Sequence, residues 1–192
     1  MTNEFRGNRE TIDFIKTTNS RIVAEVGIYE GSTSEPLAQY LGGQGELHLF
    51  DYEERVLEVV AKLNRAGYNN VVGHANSHKT MDSYNWSLMR VLEQHSEPIY
   101  DYVYLDGAHT WNIDALAFLL IDRLLKPGGY IDFDDYHWSL EKSRAWDPSV
   151  TRVMFTPSQI RESHVRLIVD LLVKRDPRYA EVKENKIYKK IA

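Results

Sequence analysis

The segment Glu25-Val26-Gly27-Ile28-Tyr29-Glu30-Gly31-Ser32-Thr33 places two glycines, with three residues between them, in a turn between an apolar run and a helical one. Glycine has no Cβ, so the backbone there can approach a ligand closely, and a helix that follows presents unpaired N–H groups. A nucleotide-like cofactor suits such a turn, although any tight strand-to-helix connection can also use glycine. Asp51 lies twenty residues after Gly31 and ends the run Leu47-His48-Leu49-Phe50. At the tip of a second parallel strand, a carboxylate can accept hydrogen bonds from both hydroxyls of an adenosine ribose. The glycine spacing lacks the Gly-x-Gly-x-x-Gly pattern that a dinucleotide's pyrophosphate requires. Glu25 is a poor neighbour for pyrophosphate and a reasonable one for a sulfonium or amino group. An adenosine cofactor with a cationic centre and no phosphate is therefore expected.

Positioning these groups takes a parallel sheet. Residues 21–27, 46–51, 70–74, 100–107 and 130–135 read as strands, rich in Val, Ile, Leu, Tyr and Phe and bounded by Gly, Asn or Asp. Residues 35–41, 53–66, 84–95 and 113–125 read as helices; Val56, Val59, Val60 and Leu63 keep the i, i+3, i+4, i+7 spacing of one buried face. This alternation implies helices on both faces of a mostly parallel sheet. In Leu124-Leu125-Lys126-Pro127-Gly128-Gly129, proline stops the helix and the glycines permit the positive φ that re-enters the sheet. Residues 159–174 are expected to form one more amphipathic helix. After it, residues 180–183 and 186–191 flank a Glu184-Asn185 turn as an antiparallel hairpin. The seven basic residues between Lys174 and Ala192 are expected on a solvated sheet edge.

Composition narrows the class. A chain of 192 residues with 43% hydrophobic and 27% charged residues can bury one core without help, and no cysteine is present for a disulfide, a thiolate metal site or a thiol nucleophile. The formal net charge of −5 lacks the basic footprint of a nucleic-acid binder. The longest apolar run, residues 115–121, is far shorter than the ~20 residues of a membrane span, so no membrane partner is expected. The opening residues lack the pattern of a secretory signal, and a cytoplasmic location is expected.

At this point the sequence resembles the class I S-adenosylmethionine-dependent methyltransferases, over residues 21–138. The resemblance rests on Glu25-x-Gly27-x-x-x-Gly31, on Asp51, on Gly73-His74-Ala75-Asn76-Ser77 and on Leu124 to Gly129. It implies an α/β, single-domain Rossmann-like methyltransferase fold: a mostly parallel seven-stranded sheet with a C-terminal antiparallel hairpin. Residues 1–20 would add an N-terminal helical segment, 21–138 the cofactor-binding core and 139–192 the last helix and hairpin. The cofactor contacts implied are Glu25, Gly27, Tyr29, Gly31, Ser32, Asp51 and Asp106, with Asn76 and Ser77 at the adenine.

Tyr104-Leu105-Asp106-Gly107-Ala108-His109-Thr110-Trp111 and Ile131-Asp132-Phe133-Asp134-Asp135-Tyr136 are similar to a narrower group, the magnesium-dependent macrocin and mycinamicin type O-methyltransferases. That resemblance implies a Mg²⁺ ion on Asp106, Asp134 and Asp135. The physics agrees, because three carboxylates gathered at neighbouring strand ends repel unless protonated or neutralised, and a hard cation with oxygen ligands neutralises them. Asp134 and Asp135 can alternatively cap the following turn. Asp132 alternates to the opposite face from Phe133 and stands apart.

Asp106 and His109 are the catalytic candidates, with His109 open between general base, acceptor orienter and satisfied loop histidine. Trp111, Tyr136, His137, Trp138 and Trp146 are candidates for the acceptor pocket, or else core anchors. His74 and His78, four residues apart without a third ligand, make zinc improbable. The expected reaction is Mg-assisted methyl transfer to a hydroxyl of a small molecule, of sugar or natural-product type. The competing readings are a metal-independent N- or O-methyltransferase using His109 or Asp106 as base, and a catalytically silent cofactor binder. The acceptor pocket must be completed by residues 1–20, 78–98 and 136–158 or by a second copy of the chain, so a homo-oligomer is left open.

Overall fold

Strand β1 (Ile22–Val26) is apolar except for Glu25, and Val23, Ala24 and Val26 are wholly buried, which requires cover on both faces. The computed structural model, which describes residues 7–143 and 147–192, supplies that cover. Val23 joins a core with Ile12, Ile15, Leu37, Leu41, Leu47, Val59 and Leu63, whereas Ala24 and Val26 join the opposite one with Leu88, Phe118, Ile121 and Ile168. The first core is built by α1 (Arg9–Ile15), α2 (Ser34–Leu41) and α3 (Glu53–Arg65). The second is built by α4 (Tyr84–Gln94), α5 (Trp111–Leu124) and, further along the chain, a helix starting at His164.

The sheet is completed by β2 (Glu46–Tyr52), β3 (Val71–Asn76), β4 (Tyr100–Leu105), β5 (Leu125–Phe133), β6 (Tyr179–Lys183) and β7 (Ile187–Lys190), in the order β3-β2-β1-β4-β5-β7-β6. Strands β1 to β5 are parallel and β7 is antiparallel to both of its neighbours, giving a seven-stranded α/β domain. The chain moves outward from β1 to β3 and then crosses back to β4. The carboxyl ends of β1 and β4 therefore flank the switch point where such sheets bind ligands. Strand β5 starts five residues earlier than its expected bound and stops at Phe133, leaving Asp134 and Asp135 in the loop. Of the two glycines in its first half, Gly128 has a positive φ, +87°.

Two expectations about the tail are corrected. A helix α6 (Pro148–Met154) precedes the anticipated helix over 159–174, which is itself broken into α7 (Pro157–Arg161) and α8 (His164–Ile168), the last running into a π-helical turn, Val169–Val173. The break is at Glu162 and Ser163, where ψ is 147° and 110°. There Ser163 caps α8 through its side chain, and its hydroxyl also donates to the Tyr136 carbonyl at 2.6 Å. The basic tail is not wholly a solvated edge either. Lys190 is buried on Asp122 at 3.2 Å, and Lys186 is buried on Asp132 at 2.9 Å. Among the described residues no helix is long and apolar enough to cross a membrane.

Candidate active site

A cleft of about 1130 Å³ opens at the carboxyl ends of β1, β2 and β4. One end is the glycine turn. Gly27 has φ +89°, and a Cβ on it would stand 1.9 Å from the Asp106 carbonyl oxygen, so glycine is required by the approach of the β4 end as well as by the cleft. Gly31 has φ +73°, and its missing Cβ leaves room for Val59 of α3. It does not line the cleft, so its role is packing. Asp51 accepts from the backbone N–H groups of Ile28, Tyr29 and Tyr52 at 2.9, 3.1 and 2.7 Å, and Arg55 approaches it at 3.3 Å. The carboxylate expected to grip a ribose thus also shapes the turn.

Glu25 is buried in the cleft wall with the Ser34 hydroxyl donating to it at 2.6 Å. Burial pushes its carboxyl well above the usual range; Ser34 opposes this, and the charges of Asp106 and Asp51 add to it. A cationic ligand would offset that cost. Tyr52 and His78 stack at 4.0 Å along the rim, and the buried Asn76 Oδ1 in the cleft wall has no hydrogen-bond partner among the described residues.

The other end is formed by Asp106, His109, Asp135 and Trp138, with Thr110, Ser143, Met154 and Phe155 beside them. Tyr29, His109 and Asp135 all line the cleft with positive φ (46°, 53° and 57°), a left-handed backbone uncommon outside glycine that concentrates at functional sites. His109 Nε2 stands 3.2 Å from Asp106 Oδ1, and its Nδ1 stands 3.8 Å from Asp135 Oδ2. Burial lowers the imidazole's pKa, but Asp106, Asp114 and Asp135 outweigh burial and hold it up to about 9. His109 is therefore a cation at neutral pH. Tyr104 donates to Asp106 Oδ2 at 3.0 Å.

Asp135 takes a left-handed backbone, φ 57°, just past the end of β5. It lines both the main cleft and a smaller hollow of about 370 Å³, whereas Asp134 lines only the hollow, with Glu10, Tyr136, His137 and Lys186. Asp134 accepts from Asn8 Nδ2 at 2.9 Å and lies 3.7 Å from Lys186 Nζ. Burial and the facing charge of Asp106 push its carboxyl up to about 6, against the pull of Lys186. The donor set expected for Mg²⁺ does not fit as arranged. His109 and Lys186 occupy the cation positions, and among the described residues no three His, Asp or Glu side chains converge to hold a metal ion.

Of the remaining candidates, Glu25, Gly27, Tyr29, Ser32, Asp51, Asn76 and Asp106 line the cleft. Ser77 does not; both its N–H and its hydroxyl bond Asp82. Trp138 lines the acceptor end, whereas Tyr136 and His137 line the smaller hollow. Trp111 lines neither; its N–H donates to His164 Nδ1. Trp146 lies outside the described residues. Asp132 is fully buried, accepting from Thr11 and Tyr102 at 2.7 and 2.6 Å. His74 packs on His48 while His78 meets Glu54, so the two diverge.

Sequence reasoning missed Arg55, one helical turn after Asp51, for which the i, i+4 spacing was a signal. It also missed Tyr84, whose hydroxyl bonds Asp114 and receives the Ala108 N–H, and Asn8; these two meet the site only through tertiary contacts, and nothing in the local sequence marks them.

The profile of a family described as a methyltransferase domain matches residues 24–136. Among curated proteins none matches the sequence. Among solved structures, the O-methyltransferase TomG from Streptomyces achromogenes, involved in tomaymycin synthesis and bound to SAM, superposes with a TM-score of 0.64 at 16% identity, over 94% of this chain and 78% of its own. An O-methyltransferase from Bacillus cereus in complex with SAH gives 0.64 at 16% identity, over 94% and 80%. A putative rRNA methylase from Clostridium thermocellum gives 0.63 at 14% identity, over 95% and 94%. At these identities the structural likeness establishes the fold.

Proposed function

The chain belongs to the methyltransferase-domain family, and on that premise we propose that it transfers the methyl group of S-adenosylmethionine to the hydroxyl of a small aromatic acceptor, a phenol. The carrying observation is one continuous cleft that joins the glycine turn and Glu25 to a wall of Asp106, His109, Asp135 and Trp138. The S-adenosylmethionine- and S-adenosylhomocysteine-bound structures of the same fold support the choice of cofactor. In this reading Glu25 meets the cofactor's positive charge, Asp51 shares its remaining acceptor capacity with the ribose, and the orphaned Asn76 Oδ1 takes the adenine amine.

Methyl transfer is an in-line displacement, so the site must align oxygen, methyl carbon and sulfur and remove the hydroxyl proton. His109 already carries its proton at neutral pH, so the acceptor's proton passes to a carboxylate, Asp106, whose orientation Tyr104 holds. A carboxylate is a weak base, which favours an acidic phenol over a sugar alcohol. The aromatic faces of Trp138 and Phe155 suit such a ring. The overall charge of −5 and the carboxylates of the cleft favour an uncharged acceptor over a polyanion.

Magnesium assistance and a sugar acceptor, which the sequence resemblance implies, remain the second reading. The feature that favours it is the carboxyl of Asp134, which burial and, after it, the charges of Asp106 and Asp135 push up to about 6. Production of S-adenosylhomocysteine is to be measured with para-nitrophenol and with a methyl glucoside, each with and without EDTA. Turnover of the phenol that persists in EDTA is expected. Loss in EDTA with recovery on added Mg²⁺, or turnover of the glucoside alone, would replace the first reading with the second.

A further inference from the structure

Asn8 precedes the segment that matches the methyltransferase family, yet it bonds Thr33 in the cleft wall directly and reaches Asp106 through Tyr104. Its backbone N–H donates to Thr33 Oγ1 of the cofactor turn at 2.9 Å. Its Oδ1 caps α1 by accepting the Thr11 N–H at 3.1 Å, and its Nδ2 donates to Tyr104 Oη at 3.0 Å and Asp134 Oδ1 at 2.9 Å. The amide orientation is fixed by its partners, because a backbone N–H needs an acceptor and a carboxylate needs a donor. Tyr104 is buried beside Asp106 and keeps its proton, so the hydroxyl accepts from Asn8 and donates to Asp106 Oδ2.

The anchor is rigid. Ile12 and Ile15 are buried, and Thr11 donates to the fully buried Asp132 at 2.7 Å. A single side chain thus directs the hydroxyl that fixes Asp106, while its own backbone holds Thr33, itself in the cleft wall.

We propose that Asn8 is a positioning residue of the methyl-transfer site: through Tyr104 it sets the carboxylate of Asp106, and through Thr33 it ties that carboxylate to the cofactor turn. The inference rests on the function proposed above. Its consequence is that the catalytic geometry depends on α1, a helix outside the family segment. Without the Nδ2 donor, the Tyr104 hydroxyl is free to rotate between Asp106 and Asp134, and Asp106 loses its fixed plane for receiving a proton.

The test uses Asn8→Ser, since serine caps a helix about as well as asparagine and retains the backbone N–H to Thr33 while removing both Nδ2 bonds. Tyr104→Phe and the double variant complete a cycle, read as kcat and KM with para-nitrophenol, S-adenosylhomocysteine affinity by calorimetry, and melting temperature. Each single variant is expected to lower kcat about tenfold, the equivalent of one hydrogen bond, with cofactor affinity within about twofold. The double variant should be no slower than Tyr104→Phe alone, because both act on one path. Wild-type kcat in a folded Asn8→Ser protein, or losses that multiply in the double variant, would overturn the inference and leave the function standing. A wild type that binds no S-adenosylhomocysteine, or that binds it without methylating para-nitrophenol, would remove the functional reading and the inference together.

Discussion

Replacing Asp51 by alanine separates two roles that the sequence alone merges into one. If the carboxylate serves only a ribose, its loss weakens cofactor binding and leaves the empty protein as stable as before. The structure assigns it a structural share as well, through the N–H groups of Ile28, Tyr29 and Tyr52. The Ile28 bond is buried, so its donor would be orphaned at a cost of roughly 1.5–3 kcal/mol; water recovers part of the cost at the two half-buried donors. The net loss is about 3 kcal/mol, which for a domain of this size lowers Tm by roughly 6–12 °C. Releasing Ile28 and Tyr29 also frees the turn from the left-handed conformation at Tyr29, φ 46°, so the binding surface loses its preorganisation. With three backbone N–H groups already on the carboxylate, one acceptor site is left for the ribose, and losing that charge-assisted bond should lower S-adenosylhomocysteine affinity by about 10- to 100-fold. Melting curves of the ligand-free protein and calorimetry on the same samples read the two effects separately. Weakened binding with an unchanged Tm of the empty protein would refute the assignment of Asp51 to the turn.

Two further outcomes follow from packing and from a stacked histidine pair, His48 buried and His74 half-buried. Gly31→Ala places a Cβ 2.7 Å from Val59 at φ +73°, so Tm should fall by roughly 4–10 °C, partly restored by Val59→Ala, with cofactor affinity in the folded protein nearly unchanged; an undiminished Tm would mean that the turn does not pack on α3. His74, packed on Phe50 at 4.3 Å and hydrogen-bonded to His48, is lowered by burial and by His48 to about 4, and burial lowers His48 as well. The unfolded chain then binds more protons than the native one below about 6.5, so stability is full above that pH and falls as pH drops toward 4. At ~1.4 kcal/mol per pH unit His74 accounts for at most about 3 kcal/mol. Urea titrations of wild type and His74→Phe between these pH values should show the slope reduced in the variant, and identical slopes would show that the histidine is not buried in its neutral form.

The parts of this site legible in the sequence are those whose constraint is local. The glycine turn, the strand-end position of Asp51 and the stop at Pro127 each follow from a short-range rule: a missing Cβ, a strand tip one βα unit on, a ring without an N–H. Strands β1, β2 and β4 follow from apolar runs whose burial on both faces leaves little freedom.

What the sequence does not contain is the direction in which a strand-end carboxylate points. The proximity of Asp106, Asp134 and Asp135 at two adjacent strand ends is legible, whereas the division by which Asp135 lines both cleft and hollow and Asp134 only the hollow is not. Nor are the partners of these carboxylates legible, since His109 is local but the charge of Lys186 arrives from the hairpin and the amide donor of Asn8 from the cap of the first helix. The same blindness to distant partners explains the mistaken helix over 159–174. Its apolar period is continuous, and the break comes from Ser163 meeting the Tyr136 carbonyl and from His164 accepting the Trp111 N–H, contacts with residues 27 and 53 positions away. What is illegible has one cause: a polar side chain is placed by the partner that satisfies it, and in this fold those partners arrive from opposite ends of the chain.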